Sequence, residues 1–294
     1  MDGVVELPAA PRLPVLYGRA VVGLVRRFRA PGGEPPGGQL PGTELVLRQV
    51  PVDRDRLAGY ARVCGYPVSD LLPPAYPQVL AFPLALHLMT GPGFPFPAAG
   101  VVHLANRITV HRPLAAGQPL DLAVHAEALR PHPRGRQVDL VTVATAAGTE
   151  VWRSVATYLH RSRSGSGGTR PDSEPAPAPA PAPPAAAVWR VGADAGRAYA
   201  AVSGDWNPIH SSTLAARAFG FRRRIAHGMW TKARCLAQLA PRLPPSYTVD
   251  VEFRAPILLP ATVGFSADRS GASFAVHDLR SGKPHLSGVV SPLQ

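Results

Sequence analysis

The chain has 294 residues, 46% of them hydrophobic and 17% charged, with a formal net charge of +12. That length can bury a core in one large domain or two ordinary ones, and no apolar run approaches the ~18 residues of a membrane span. The charge is almost all arginine, with Lys232 and Lys283 the only lysines; no zinc-finger spacing, helix-turn-helix signal or aromatic RNA-binding motif accompanies it, so nucleic-acid binding is not expected.

The start, Met1-Asp2-Gly3-Val4-Val5-Glu6, is acidic and does not read as a secretory signal. Two cysteines far apart, Cys64 and Cys235, argue against a disulfide scaffold and fit a reduced, cytoplasmic chain. The stretch PGGEPPGGQLP (31–41) sets an N-terminal arm, residues 1–42, apart from a first domain at 43–161. Residues 162–187 run from SRSGSGGTR through PAPAPAPAPP to three alanines. Gly/Ser tracts are flexible and Pro/Ala tracts stiff, and neither buries a core, so this segment reads as a linker to a second domain at 188–294.

The two domains read as distant copies. DRLAGYARVCGYP (55–67) is matched by AGRAYAAVSGDWNP (195–208), each a short helix ending at Gly and then Pro. LAFPLALHLMTG (80–91) is matched by IAHGMWTKARCLAQLA (225–240), both apolar and long enough for buried helices, with Met229, Ala233, Leu236 and Leu239 at helical spacing. After each helix comes a strand with alternating polarity, as in Val249, Val251 and Phe253 against Asp250, Glu252 and Arg254. Further strands follow, joined in the first copy by a Gly-Thr turn and in the second around Ser281-Gly282-Lys283. The fold class is therefore α+β, with antiparallel strands able to wrap one buried helix per copy.

Chemistry concentrates in SGDWNPIH (203–210). Pro208 disfavours a helical Asn207 and Gly204 permits unusual backbone geometry, so the segment bends and can bring Asp205 and His210 to one small space. There a carboxylate can orient a water or take a proton, and an imidazole can share that work. Ile225-Ala226-His227-Gly228 then opens the buried helix, where a free Gly228 N–H can hold a developing oxyanion and the absent side chain lets a carbonyl approach. An ordinary polar turn, a metal site from Asp205, His210 and His227, and a Ser203–His210–Asp205 hydrolase triad are the competing readings of the same residues. Arg222, Arg223 and Arg224, a solvated turn in the plainest reading, precede that helix and offer contacts to an anionic substrate handle.

YAAVSGDWNPIH, AFGFRRRIAHGMWT and FRAPILLPATV together resemble the signature of MaoC-like (R)-specific enoyl-CoA hydratases. From about residue 43 onward the chain resembles the actinobacterial 3-hydroxyacyl-thioester dehydratases of that family, with FPFPAAGVVHLANRITVHRPL and HPRGRQVDLVT in the first copy carrying the closer match. The resemblance implies a double hot dog fold, and hydration of trans-2-enoyl thioesters or the reverse dehydration of (R)-3-hydroxyacyl thioesters. It implies Asp205 and His210 as the catalytic dyad, Asn207 and Ser203 as loop support and the Gly228 N–H as oxyanion donor. It implies no metal and no redox cofactor, with coenzyme A or an acyl carrier protein as the acyl handle, and leaves pairing of chains into a homodimer open. A hot dog thioesterase and a non-catalytic acyl-thioester binding protein are the alternatives. The first copy departs from the pattern: Tyr66 follows Gly65 where Asp205 follows Gly204, no His follows Pro67 at the matching distance, and Phe82-Pro83-Leu84, taken as its helix start, lacks the His-Gly. One active site per chain is expected, with the first copy widening the substrate channel.

Overall fold

A computed structural model describes residues 3–29, 40–161 and 184–293, with side chains omitted for 24–29. Most of the expected linker and most of the 31–41 stretch lie outside these residues.

In chain order the elements are β1 (Gly3–Glu6), α1 (Leu13–Arg29), β2 (Thr43–Val50), α2 (Arg54–Cys64), α3 (Tyr76–Met89), β3 (Val102–Val110), β4 (Leu120–His132), β5 (Gly135–Ala146) and β6 (Thr149–Arg161). The second copy follows with β7 (Ala187–Val191), α4 (Ala195–Ser203), α5 (Pro208–Ser211), α6 (Thr213–Ala218), α7 (Gly228–Leu239), β8 (Tyr247–Phe253), β9 (Ala261–Ala267), β10 (Ser273–Asp278) and β11 (Pro284–Pro292). The strands form one sheet in the order β1-β2-β4-β5-β6-β3-β8-β11-β10-β9-β7. Read outward from the β3–β8 seam, the two halves run β3-β6-β5-β4-β2 and β8-β11-β10-β9-β7, the same order twice. This is the double hot dog architecture: α3 in one half and α7 in the other are the long buried helices, and their apolar side chains share one core with the strands.

Local sequence explains the elements. Asp53 caps α2 by accepting from the N–H groups of Asp55 and Arg56 at 2.9 and 3.0 Å. Both short helices end as expected on a left-handed glycine, Gly65 at φ 80° and Gly204 at φ 84°. The start of α3 corrects the expectation placed at Phe82: the helix begins at Tyr76, and Pro83 lies inside it. An almost wholly apolar helix has no polar face to mark its ends, and Pro77 occupies the first-turn position that proline favours. The N-terminal arm is integrated into the fold, since β1 pairs parallel to β2 and α1 packs on α3. The end of the expected linker is docked too, with the Ala186 N–H bonded to the Phe265 carbonyl at 2.7 Å. Cys64 and Cys235 are buried free thiols, and no described helix is long and apolar enough to cross a membrane.

The seam between the halves holds a fully buried lysine. From α7, Lys232 donates through Nζ to the Asn106 carbonyl and side-chain oxygens of β3, at 2.9 and 2.7 Å, and to the Val249 carbonyl of β8, at 3.2 Å. Three oxygen acceptors surround this amine, which burial shifts well below the usual lysine range. Lys232→Met leaves these oxygens without their donor, and the expected loss is about 2–4 kcal/mol of stability. A urea midpoint equal to wild type at unchanged m-value would show that the seam holds without this clamp.

Candidate active site

The left-handed Gly204 reverses the chain at the end of α4, and short hydrogen bonds then set the loop. The Asp205 N–H donates to Ser203 Oγ at 3.1 Å, and the Asn207 N–H donates to Asp205 Oδ1 at 3.1 Å. Asn207 caps the single turn of α5, its Oδ1 accepting from the Ile209 N–H at 3.4 Å. Gly196 on α4 faces the His210 carbonyl so closely that a Cβ there would collide with it. Glycine at 196 therefore lets α5 lie against α4 and places His210.

His210 is buried, and its Nδ1 donates to the Ile225 carbonyl at 2.8 Å, leaving the Nε2 lone pair for the cavity. Its ring stacks on that of His227 with centroids 3.6 Å apart. His227 in turn donates from Nε2 to the Asp205 carbonyl at 2.9 Å, with the Asp205 carboxylate 3.8 Å away. Burial above all, then the neighbouring His227, pushes the His210 pKa down to about 3, against the opposing pull of Asp205 and the Ile225 carbonyl. Burial likewise brings His227 to about 4. Asp205 moves the other way: burial raises it, while His210 and the Asn207 N–H hold it back. Near neutral pH the two stacked imidazoles are thus uncharged.

These groups face a cavity of about 270 Å³ built by both copies. Phe82, Leu86 and Met89 of α3 and Tyr158 of β6 supply the first copy's wall; Asp205, His210 and Gly228 lie on the other side. No side chain caps the start of α7, so the Gly228 N–H is an open donor there. The space a Cβ would occupy is not open to a carbonyl, however, because three ring atoms of Phe253 lie 2.9–3.1 Å from it. The glycine admits the phenyl ring, which corrects the expected reason for its presence.

Asp205, Asn207, His210 and Gly228 come together as the sequence suggested, and Ser203 supports the loop. Arg222 and Arg223 are exposed and Arg224 half-buried; none of the three lines the cavity. The arginines that do are Arg134, Arg161 and Arg254. Asp205, His210 and His227 form the one grouping of three potential metal ligands among the described residues, with ligand atoms within 4.8 Å of one another. One nitrogen of each imidazole is already committed to a carbonyl.

Two braces escaped sequence reasoning. Tyr17 of α1 donates its hydroxyl to the Gly204 carbonyl and accepts from the Trp206 N–H, both at 2.7 Å. Arg56 of α2 donates to the carbonyls of Val202 and Ser203 at 2.8 and 3.0 Å, satisfying the C-terminal end of α4. Their partners are 146–189 residues away, so no local pattern reveals them. In the first copy Tyr66 occupies the place after Gly65, and Pro77 at the start of α3 has no N–H to offer.

Fold and loop together define a double hot dog protein with the Asp205–His210 loop beside an open helix start. A MaoC like domain matches residues 179–286. The chain is 40% identical over 277 residues to 3-hydroxyacyl-thioester dehydratase X of Mycobacterium tuberculosis, covering 92% of this chain and 98% of that protein. The crystal structure of HtdX of M. tuberculosis superposes with a TM-score of 0.75 at 38% identity, covering 85% of this chain and all of the other. A MaoC-like dehydratase from Phytophthora capsici, at 18% identity and a TM-score of 0.65 over 85% of this chain and 95% of the other, shares the fold. The chain belongs to the MaoC-like dehydratase family.

Two measurements probe this geometry. Tyr17→Phe removes both hydrogen bonds to the loop, and exchange of the Trp206 amide proton should quicken about tenfold; unaltered exchange would remove Tyr17 as a brace. The second is stability against pH. His210 and His227 titrate lower folded than the ~6.5 of the unfolded chain, so the unfolded state binds more protons between about 4 and 6.5. Their contribution is therefore complete above about 6.5 and is lost as pH falls, by up to about 1.4 kcal/mol per pH unit for each ring. Asp205, raised in the fold, acts in the opposite sense with one proton against two. The urea midpoint should fall from pH 6.5 to 4, less steeply in a His210→Gln/His227→Gln variant; equal slopes would contradict the neutral pair.

Proposed function

We propose that this protein is a hydro-lyase of fatty acid metabolism that hydrates trans-2-enoyl thioesters and, in reverse, dehydrates (R)-3-hydroxyacyl thioesters. The observation that carries the reading is the meeting of the Asp205 carboxylate, the His210 Nε2 lone pair and the start of α7 on one apolar cavity. The mycobacterial and Arabidopsis thaliana relatives, both named as 3-hydroxyacyl dehydratases, support the substrate class.

A water held between Asp205 and His210 gives a proton to the dyad as its oxygen bonds to the β carbon. The electrons of the double bond move onto the thioester oxygen, which the Gly228 N–H stabilises as an enolate. The enolate then collapses as the dyad returns a proton to the α carbon. In the dehydration direction the dyad takes the α proton and protonates the departing hydroxyl. Water is the only species added or lost, so the step calls for no metal or redox cofactor. Coenzyme A or an acyl carrier protein carries the acyl group, and the two buried free thiols fit a cytoplasmic setting.

The test is loss of enoyl absorbance from crotonyl-CoA and from a longer trans-2-enoyl-CoA. Asp205→Asn and His210→Ala should each lower the rate by at least ~10². Wild-type rates in either variant would take that residue out of the dyad. Release of free thiol in place of hydration would make the chain a thioesterase.

A further inference from the structure

We infer that Arg134 and Arg161, both from the first copy, form a clamp for the phosphate of the substrate's pantetheine handle; this rests on the thioester reading above. The strand register builds the pair. Gly135 at the start of β5 lies opposite Arg161 at the end of β6. Arg134 immediately precedes Gly135 in the β4–β5 hairpin, whose turn is held by the Arg134 N–H donating to His132 Nδ1 at 3.1 Å. Both arginines line the cavity that holds Asp205 and His210, and both are exposed enough for a ligand to reach.

Two guanidinium groups beside each other repel, and like charges at neighbouring sheet positions destabilise a fold. Several other arginines are matched by an acid: Arg54 pairs with Asp70, Arg107 with Asp250, Arg130 with Asp139 and Arg153 with Glu150. Even Arg254, the third arginine on the cavity, pairs with Glu252. Among the described residues neither Arg134 nor Arg161 makes a salt bridge. The Arg161 guanidinium is shifted down by burial and then by Arg134, which agrees with their closeness. A ligand that completes this arrangement carries two or more anionic oxygens, and a phosphate suits paired guanidinium forks.

The placement fits as well. Tyr158 lines the same cavity as Asp205, and Arg161 stands three residues further along β6, about 10 Å at the rise of a strand. An extended pantetheine arm covers that span. The acyl end then lies at Asp205 and His210 while the phosphate meets the first copy.

The experiment compares one enoyl group on coenzyme A, on acyl carrier protein and on phosphate-free pantetheine, in wild type and in Arg134→Ala/Arg161→Ala. The KM for the coenzyme A substrate should rise tenfold or more, with kcat within about twofold and the pantetheine KM unmoved. Arg134→Lys/Arg161→Lys should recover most of the loss, which separates lost charge from lost folding. An equal loss with the carrier-bound substrate assigns the clamp to the phosphate shared by both handles, and a loss confined to coenzyme A assigns it to the nucleotide phosphates. An unchanged coenzyme A KM, an equal loss with pantetheine, or transfer of the whole effect to Arg222→Ala/Arg223→Ala overturns the inference. Calorimetric binding of coenzyme A itself separates the two readings. If wild type hydrates nothing yet binds coenzyme A through Arg134 and Arg161, the clamp stands and the hydratase reading falls.

Discussion

A buried lysine ties the halves of this protein to its site. Burying Lys232 is costly unless every proton finds an acceptor, and the oxygens that satisfy it belong to β3 of one copy and β8 of the other. Asn106 extends the network into β6, with its amide donating to Ser154 Oγ at 2.9 Å. Lys232 lies four residues beyond Gly228, one turn along α7. Whatever fixes Lys232 against the seam therefore fixes the roll of α7, and with it the direction of the N–H groups at its open start. Assembly of the two copies and orientation of the Gly228 N–H are thereby linked.

The two copies do different work. The first keeps the helix ending on a left-handed glycine but has Tyr66 after it, and at the start of its long helix the Tyr76 N–H is bonded to the Pro73 carbonyl at 2.8 Å while Pro77 has none to offer. In exchange it gives Arg56 to the end of α4 and the apolar face of α3 to the cavity. The arm adds Tyr17, bonded on both sides of the turn at Asp205. Burial and the charge of Asp205 keep the Tyr17 hydroxyl protonated, which it must be to donate to the Gly204 carbonyl. The Asp205–His210 loop is thus held by the arm and by the first copy, and bonded within itself by Ser203 and Asn207.

What could be read from sequence follows from how far each interaction reaches. The glycine stops at 65 and 204, the strand alternation and the Asp205–His210 loop depend on neighbours within a few residues, and they were legible. The start of α3 was misplaced because an all-apolar helix carries no periodic face, and its inner Pro83 resembles a first-turn proline. The arm was read as an appendage because its meaning lies in contacts nearly two hundred residues away. Proximity in sequence to the start of α7 points to Arg222–Arg224 as handle contacts, yet none of the three lines the cavity. The arginines on the cavity become neighbours only through the register that sets Gly135 against Arg161, and register between strands is not written in either strand alone.

The electrostatics of the loop bear directly on turnover. In water a carboxylic acid and an imidazolium differ by more than two pKa units, so a proton shared between them would rest on the imidazole. Burial raises Asp205 above its usual range and lowers His210 to about 3, which reverses that order. The stacked His227 ring adds to the cost of charging His210, and its own hydrogen bond to the Asp205 carbonyl keeps it in place to do so. In the proposed mechanism a proton taken from water by His210 is consequently held weakly, and it can leave again within the same encounter. Reversible hydration needs that property, because a base that kept its proton would stop after the first half of the reaction. In the proposed mechanism the same desolvation that depresses His210 thereby suits the pair to both directions.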